Sequence, residues 1–219
     1  MLETIEIETA AKPNASILWL HGLGADGHDF APVVPAIVRP GERAWRFIFP
    51  HAPVRPVNIN GGASMRAWYD ITGFDRTSSV DADGLRSTDA EIRQLIAKEI
   101  KRDIPASRIV LAGFSQGGAV ALYVATRFDQ AVAGVMALSA YVPAEESFAA
   151  DRASANNATA IFMAHGRADP VLPFAMGLQS RDFLRTFGYS VEWHEYPMAH
   201  SVCDAEISDI REFLLRALP

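Results

Sequence analysis

The sequence predicts an α/β fold in which a mostly parallel central sheet is covered by helices on both faces. Two observations carry that prediction. Apolar runs of strand length recur as continuous hydrophobic stretches, the pattern of strands buried on both faces. Between them lie segments whose apolar residues repeat with helical period. With 219 residues and 49% hydrophobic content the chain can fill a sizeable core, so one domain spanning 1–219 is expected.

The elements follow in order. Leu2 to Thr9 alternates polar and apolar residues, which suits an antiparallel edge strand. Ile17 to Leu20, Phe47 to Pro50, Ile109 to Ala112, Val132 to Leu138, Ala160 to Ala164 and Val191 to Tyr196 read as buried strands. Thr88 to Arg102 reads as a helix: Ile92, Leu95, Ile96 and Ile100 share one face behind a Thr88-x-x-Glu91 capping box, and Pro105 closes the segment. Gly117 to Leu122 begins a second helix, and a third runs from about Phe174 to Phe187, ending at Gly188 in a position suited to a left-handed cap. The last helix carries Ser201-x-x-Asp204 as its cap and an apolar stripe of Ile207, Ile210, Phe213, Leu214 and Leu218. Residues 51–87 break the alternation. They are rich in Pro, Gly, Asn and Asp, with Trp68 and Tyr69 among them, and so long a weakly periodic segment reads as a functional loop over the active site.

Composition excludes several classes. A formal charge of -6, without basic blocks, argues against nucleic-acid and anionic-membrane partners. The single cysteine, Cys203, cannot form an internal disulfide, reads as a small buried thiol, and fits a reducing compartment. The N-terminal MLETIEIETA resembles neither a signal nor a transit peptide, and no apolar run approaches the roughly 20 residues of a membrane helix. A cytoplasmic protein without stable membrane insertion is expected.

The chemistry centres on Gly113-Phe114-Ser115-Gln116-Gly117. A buried strand precedes it and a helix follows, so Ser115 sits on the strand-to-helix turn that a G-x-S-x-G motif requires. Gly113 and Gly117 relieve the crowding there by lacking Cβ atoms; the plainer alternative is that they only permit close strand–helix packing. A serine hydroxyl becomes a useful nucleophile when a histidine takes its proton and a carboxylate orients that histidine. In hydrolases with this turn the chain order is Ser, Asp or Glu, then His. His200 meets that order, lying after the strand Val191 to Tyr196 and before the last helix, whereas His194 is inside a strand and His165 lies too early. Asp169, just past the strand Ala160 to Ala164, is the preferred carboxylate, although an Asp before Pro170 is also ordinary turn chemistry; Asp182 and Asp204 are weaker candidates. The backbone NH groups of Gln116 and Leu23 are the candidate oxyanion donors, the second from the glycine-flanked loop after Ile17 to Leu20.

These blocks occur together with others: Leu20-His21-Gly22-Leu23-Gly24, Pro50-His51-Ala52-Pro53, Met65 to Asp70, Leu138 to Pro143, His165-Gly166 with Asp169 to Pro173, and His200 to Cys203. In this order they resemble the small carboxylesterase and acyl-protein thioesterase family. The resemblance implies an α/β-hydrolase fold without a large cap domain, a triad of Ser115, Asp169 and His200, and oxyanion donors at Leu23 and Gln116. It implies small esters, acyl thioesters or lysophospholipids as substrates, no cofactor, and allows a homodimer. Ala25-Asp26, Ala140 and Ala199 depart from the family pattern without touching a catalytic side chain. Met65, Trp68, Val171 and Leu172 are the expected wall for an acyl chain, with a core anchor as the alternative role of Trp68. No metal is expected, since the six histidines show no metal-ligand spacing. Three other readings compete: a non-catalytic lipid or ester binder on a hydrolase scaffold, a peptidase, and an enol-lactone hydrolase of the same fold.

Overall fold

The computed structural model describes residues 1–73 and 80–219. Its strands are β1 (Thr4–Glu8), β2 (Ala15–Leu20), β3 (Trp45–Pro50), β4 (Val54–Val57), β5 (Ala63–Arg66), β6 (Ile109–Phe114), β7 (Gly134–Leu138), β8 (Ile161–Gly166) and β9 (Val191–Tyr196). Its helices are α1 (Val34–Ile37), α2 (Ala82–Ile100), α3 (Gln116–Arg127), α4 (Glu145–Asp151), α5 (Phe174–Thr186) and α6 (Asp204–Ala217). Seven strands form one sheet in the order β1-β3-β2-β6-β7-β8-β9. Only β1 is antiparallel; it pairs with β3 at the edge, where its polar–apolar alternation belongs.

Side-chain alternation sorts the apolar runs into two cores. Leu18, Leu20, Ile48, Leu111, Ala137 and Met163 point to the face covered by α2, α3 and α5, where they meet Ile92, Val120 and Leu184. Their neighbours Ile17, Trp19, Phe47, Val110, Met136 and Phe162 point to the other face, against Ile37 of α1 and Ile210, Phe213 and Leu214 of α6. Continuous hydrophobic strands are thus satisfied on both sides, as a parallel sheet requires.

Three local expectations are corrected. Helix α2 starts at Ala82, not Thr88, because the Asp81 carboxylate accepts the Gly84 amide at 2.9 Å and caps the helix there. Thr88 lies inside the helix, and its hydroxyl donates to the Trp68 carbonyl. The segment 51–87 is not one loop, since it contains the β4–β5 hairpin and the first turns of α2; residues 74–79 of it lie outside the described residues. Helix α6 has Cys203 at its N-cap, without a side-chain cap from Ser201. The α5 boundary agrees with expectation, and Gly188 follows it at φ +85°.

Helix α2 is fastened to the start of the sheet by buried charge. The Glu99 carboxylate, with no exposed surface, accepts from Arg46 Nη1 at 2.6 Å, Ser16 Oγ at 2.6 Å and Arg102 Nη1 at 2.9 Å. Such a network contributes little net stability when complete but costs much when broken. Arg46→Met is therefore expected to destabilise the protein by about 3 kcal/mol in urea unfolding, and adding Ser16→Ala and Glu99→Met to restore most of the loss.

Candidate active site

Parallel strands deliver their following loops to one edge of the sheet. At that edge β6 ends in Ser115, whose backbone sits at φ 54° and ψ -121°, a region L-residues rarely occupy. The Ser115 amide donates to the Leu138 carbonyl of β7 at 2.8 Å, and α3 begins at the next residue. The turn is tight enough that a Cβ on Gly113 would fall within 3.0 Å of the Gly117 backbone. A Cβ on Gly117 would likewise collide with the Leu20 and His21 carbonyls, so both glycines are sterically required.

Asp169 lies on the loop after β8. Its Oδ1 accepts the amides of Val171 at 2.8 Å and Leu172 at 2.9 Å, and its Oδ2 accepts from His200 Nδ1 at 2.6 Å. A carboxylate only accepts, so Nδ1 of His200 carries the proton and Nε2 holds the lone pair. Phe114, the residue before Ser115, packs on the His200 ring with centroids 4.7 Å apart. The structure therefore brings the Asp169–His200 pair against the serine turn. The Ser115 hydroxyl itself makes no hydrogen bond among the described residues, a common state before substrate binds. The weaker carboxylate candidates lie elsewhere: Asp182 pairs with Arg181, and Asp204 opens α6 on the surface.

The loop after β2 runs alongside. A Cβ built on Gly22 would stand 3.5 Å from Ser115 Cβ, so the backbone next to Leu23 lies close to the serine. His21 organises this loop, a role that spacing alone did not signal. Its Nε2 accepts the Ala52 amide at 3.0 Å and its Nδ1–H donates to Gly22 O at 2.7 Å, an arrangement only the neutral ring can make. Burial pulls the His21 pKa down to about 4, against a smaller opposing contribution from the Gly22 carbonyl. On the other side, Gln116 contributes more than a backbone NH. Its Oε1 accepts the Trp68 amide at 3.0 Å and its Nε2 donates to Tyr69 O at 2.7 Å. As the first residue of α3 its amide has no intrahelical acceptor.

The expected acyl wall divides. Trp68 has no exposed surface, and its indole Nε1 donates to the His21 carbonyl at 2.9 Å. It is a core anchor, not a wall. Leu172 is 1% exposed and is likewise interior. Val171, 48% exposed beside Asp169, and the half-buried Met65 on β5 keep surface that a substrate can touch. Elsewhere, Asp26, His28 and His51 bring potential ligand atoms within 4.8 Å of one another. Within this group Gly27 donates to His51 Nδ1 at 3.1 Å, and His28 Nδ1 meets Asp26 Oδ1 at 3.0 Å.

A mostly parallel sheet with an antiparallel edge strand and a strand-to-helix serine turn is the α/β-hydrolase fold. The sequence matches the phospholipase/carboxylesterase family over residues 2–218, and the chain belongs to that family. It is 39% identical to acyl-protein thioesterase 1 of Neurospora crassa, over 97% of this chain and 91% of that protein. It is 38% identical to acyl-protein thioesterase 1 of Mycosarcoma maydis, over 100% and 98%. Among solved structures, SOBER1 of Arabidopsis thaliana is 29% identical with a TM-score of 0.87, covering 94% of this chain and 99% of that one. Acyl-protein thioesterase 2 of Zea mays is 27% identical with a TM-score of 0.85, covering 100% of both chains.

His21 makes stability pH-dependent. Its folded pKa, about 4, lies below the ordinary 6.5, so the unfolded chain takes up the proton first. Its contribution is complete above pH 6.5 and is lost towards pH 4, at about 1.4 kcal/mol per pH unit between those limits. Glu206, buried and pushed up to about 8, works in the opposite direction, so the comparison must be with a His21 variant. The urea midpoint of the wild type is expected to fall more steeply from pH 6.5 to 5 than that of His21→Gln; parallel slopes would exclude His21 as the source.

Proposed function

We propose that the chain is a serine hydrolase that cleaves carboxylic esters and acyl thioesters through an acyl-enzyme on Ser115. The observation that carries this reading is the Asp169–His200 hydrogen bond of 2.6 Å set against a serine on a strained strand-to-helix turn. Structural histidines and serines have no need of either, and a turn costing about 1–3 kcal/mol is kept where it serves a site.

In this reading Ser115 Oγ attacks the acyl carbonyl while His200 Nε2 takes its proton. The carbonyl oxygen becomes an oxyanion that accepts hydrogen bonds from the amides of Leu23 and Gln116, each worth about a hundred- to a thousandfold in rate. His200 then gives the proton to the departing alcohol or thiol, leaving the acyl group on Ser115. Water, deprotonated by His200, attacks that ester, the carboxylic acid leaves, and the serine regains its proton. Asp169 holds the imidazole in the tautomer both halves need. Val171 and Met65 border the acyl group. No step calls for a metal or an organic cofactor.

The relatives named acyl-protein thioesterase favour thioesters and lipid-like acyl groups among the substrates, with lysophospholipids as the family's further class. The reading includes one catalytic domain over 1–219, a cytoplasmic setting in keeping with a lone cysteine, no nucleic-acid partner at a charge of -6, and a homodimer as the assembly to test. Among the described residues no helix is long and apolar enough to cross a membrane.

Ser115→Ala is expected to reduce kcat on p-nitrophenyl butyrate by about 10⁴-fold or more and to abolish labelling by a fluorophosphonate. Near-normal turnover in that variant would eliminate the assignment, and an unlabelled wild type would favour a non-catalytic binder. Asp169→Asn, which presents the wrong tautomer to His200, is expected to lose about 10⁴-fold in kcat with KM little changed. Oxygen-ester and thioester pairs from acetyl to palmitoyl, compared by kcat/KM, read out leaving-group preference and pocket depth.

A further inference from the structure

His165 takes no part in the chemistry described, yet its placement is costly. It is the penultimate residue of β8 and is almost fully buried. Its Nε2–H donates to the Leu172 carbonyl at 2.9 Å, while its Nδ1 is buried with no hydrogen-bond partner. A buried polar atom left unpaired is destabilising, and a leucine of similar volume would fill the space without that loss. The ring is also held tightly. Trp193 stacks on it with centroids 6.3 Å apart, Phe174 meets it edge-on at 6.0 Å, and Gly177 of α5 leaves room for Nδ1 that a Cβ would fill.

What the imidazole holds is the Asp169 turn. The Leu172 amide donates to Asp169 Oδ1, and the Leu172 carbonyl accepts from His165, so one peptide unit is gripped from both sides. The same Nε2 lies 3.5 Å from Asp169 Oδ2, the oxygen that receives the His200 proton at 2.6 Å. We propose that His165 is a positioning residue acting through Asp169: its Nε2–H locks the 169–172 turn and so aims the carboxylate at His200. Burial keeps the ring neutral, in line with a pKa lowered by desolvation against the raising influence of the Leu172 carbonyl and Asp169. Neutrality matters because a cationic His165 would share the Asp169 charge with His200.

The proposal rests on the ester-hydrolase reading, and its test separates the two. His165→Gln keeps a side-chain N–H near the Nε2 position, whereas His165→Asn keeps one only at the level of Nδ1. On p-nitrophenyl butyrate the Asn variant is expected to lose about 10- to 100-fold in kcat with KM within about twofold, a split characteristic of a misplaced catalytic group. The Gln variant is expected to stay within about fivefold of wild type. A Gln variant as slow as Asn, or an Asn variant as fast as wild type, overturns the proposal. Imidazole ¹⁵N shifts of the wild-type protein give a readout independent of variant folding and of turnover. They should show His165 neutral and protonated on Nε2 at pH 6.5, and an Nδ1–H or charged ring there also overturns it. An inert wild type with the expected tautomer would instead sink the hydrolase reading and leave the positioning of Asp169 standing.

Discussion

Everything at the site depends on backbone touching backbone at the end of β6. Gly113 lies on Gly117, and Gly117 lies on the carbonyls of Leu20 and His21, with no side chain between them. That contact sets how near α3 can come to β2, and hence how near the loop carrying Leu23 comes to Ser115. From there the dependence spreads through hydrogen bonds. His21 fixes Ala52, Trp68 fixes the His21 carbonyl, and Gln116 fixes the 68–69 backbone. The strained serine is tolerated because a helix buried along almost its whole length is anchored immediately behind it.

The two edges of the sheet do different work. At the starts of β2 and β3, Ser16 and Arg46 surround the Glu99 carboxylate and tie the far end of α2 to the strands. At the strand ends, loops bring together a hydroxyl, an imidazole, a carboxylate and backbone amides. The two sets differ in their surroundings: Glu99 has no exposed surface and is paired with two arginines, whereas at the other edge the His200 ring keeps part of its surface exposed.

The continuous apolar runs made the parallel sheet legible, because a strand buried on both faces leaves no polar alternation to misread. Ile17 to Leu20 and Ile109 to Ala112 were accordingly visible in advance, whereas Val191 to Tyr196 proves to be an edge strand that is only partly buried. The start of α2 was not. Its first turns carry Asp, Gly and Ser, and the cap that fixes them, Asp81, works together with distant residues: Asp81 Oδ2 also accepts the Asp70 amide. Glu91 three residues beyond Thr88 imitated a cap that the Trp68 carbonyl had already claimed. Ser115, Asp169 and His200 could be named from chain order, since topology alone places them on one edge. His21, His165 and the Gln116 side chain escaped notice because their partners are backbone atoms dozens of residues away or on the far side of a turn, and a backbone acceptor has no signature in residue type. Trp68 was ambiguous for a related reason: an aromatic in a polar segment either faces a ligand or nails the segment down, and only the indole's hydrogen bond distinguishes the two.

The Trp68–Tyr69 segment is joined to the serine turn by two hydrogen bonds with the Gln116 side-chain amide, to α2 by the Thr88 hydroxyl, and to the loop after β7 by a 2.6 Å contact between the Tyr69 and Tyr141 hydroxyls. It is a splice between the 51–73 segment and the serine turn, keyed at several points. Grafting residues 51–73 from a relative onto this scaffold is consequently not a matter of swapping a module: the residues at 88, 116 and 141 have to travel with the graft. Substitution is free at the hairpin tip and on the exposed Val171 side, and is constrained wherever the new loop must meet those three residues.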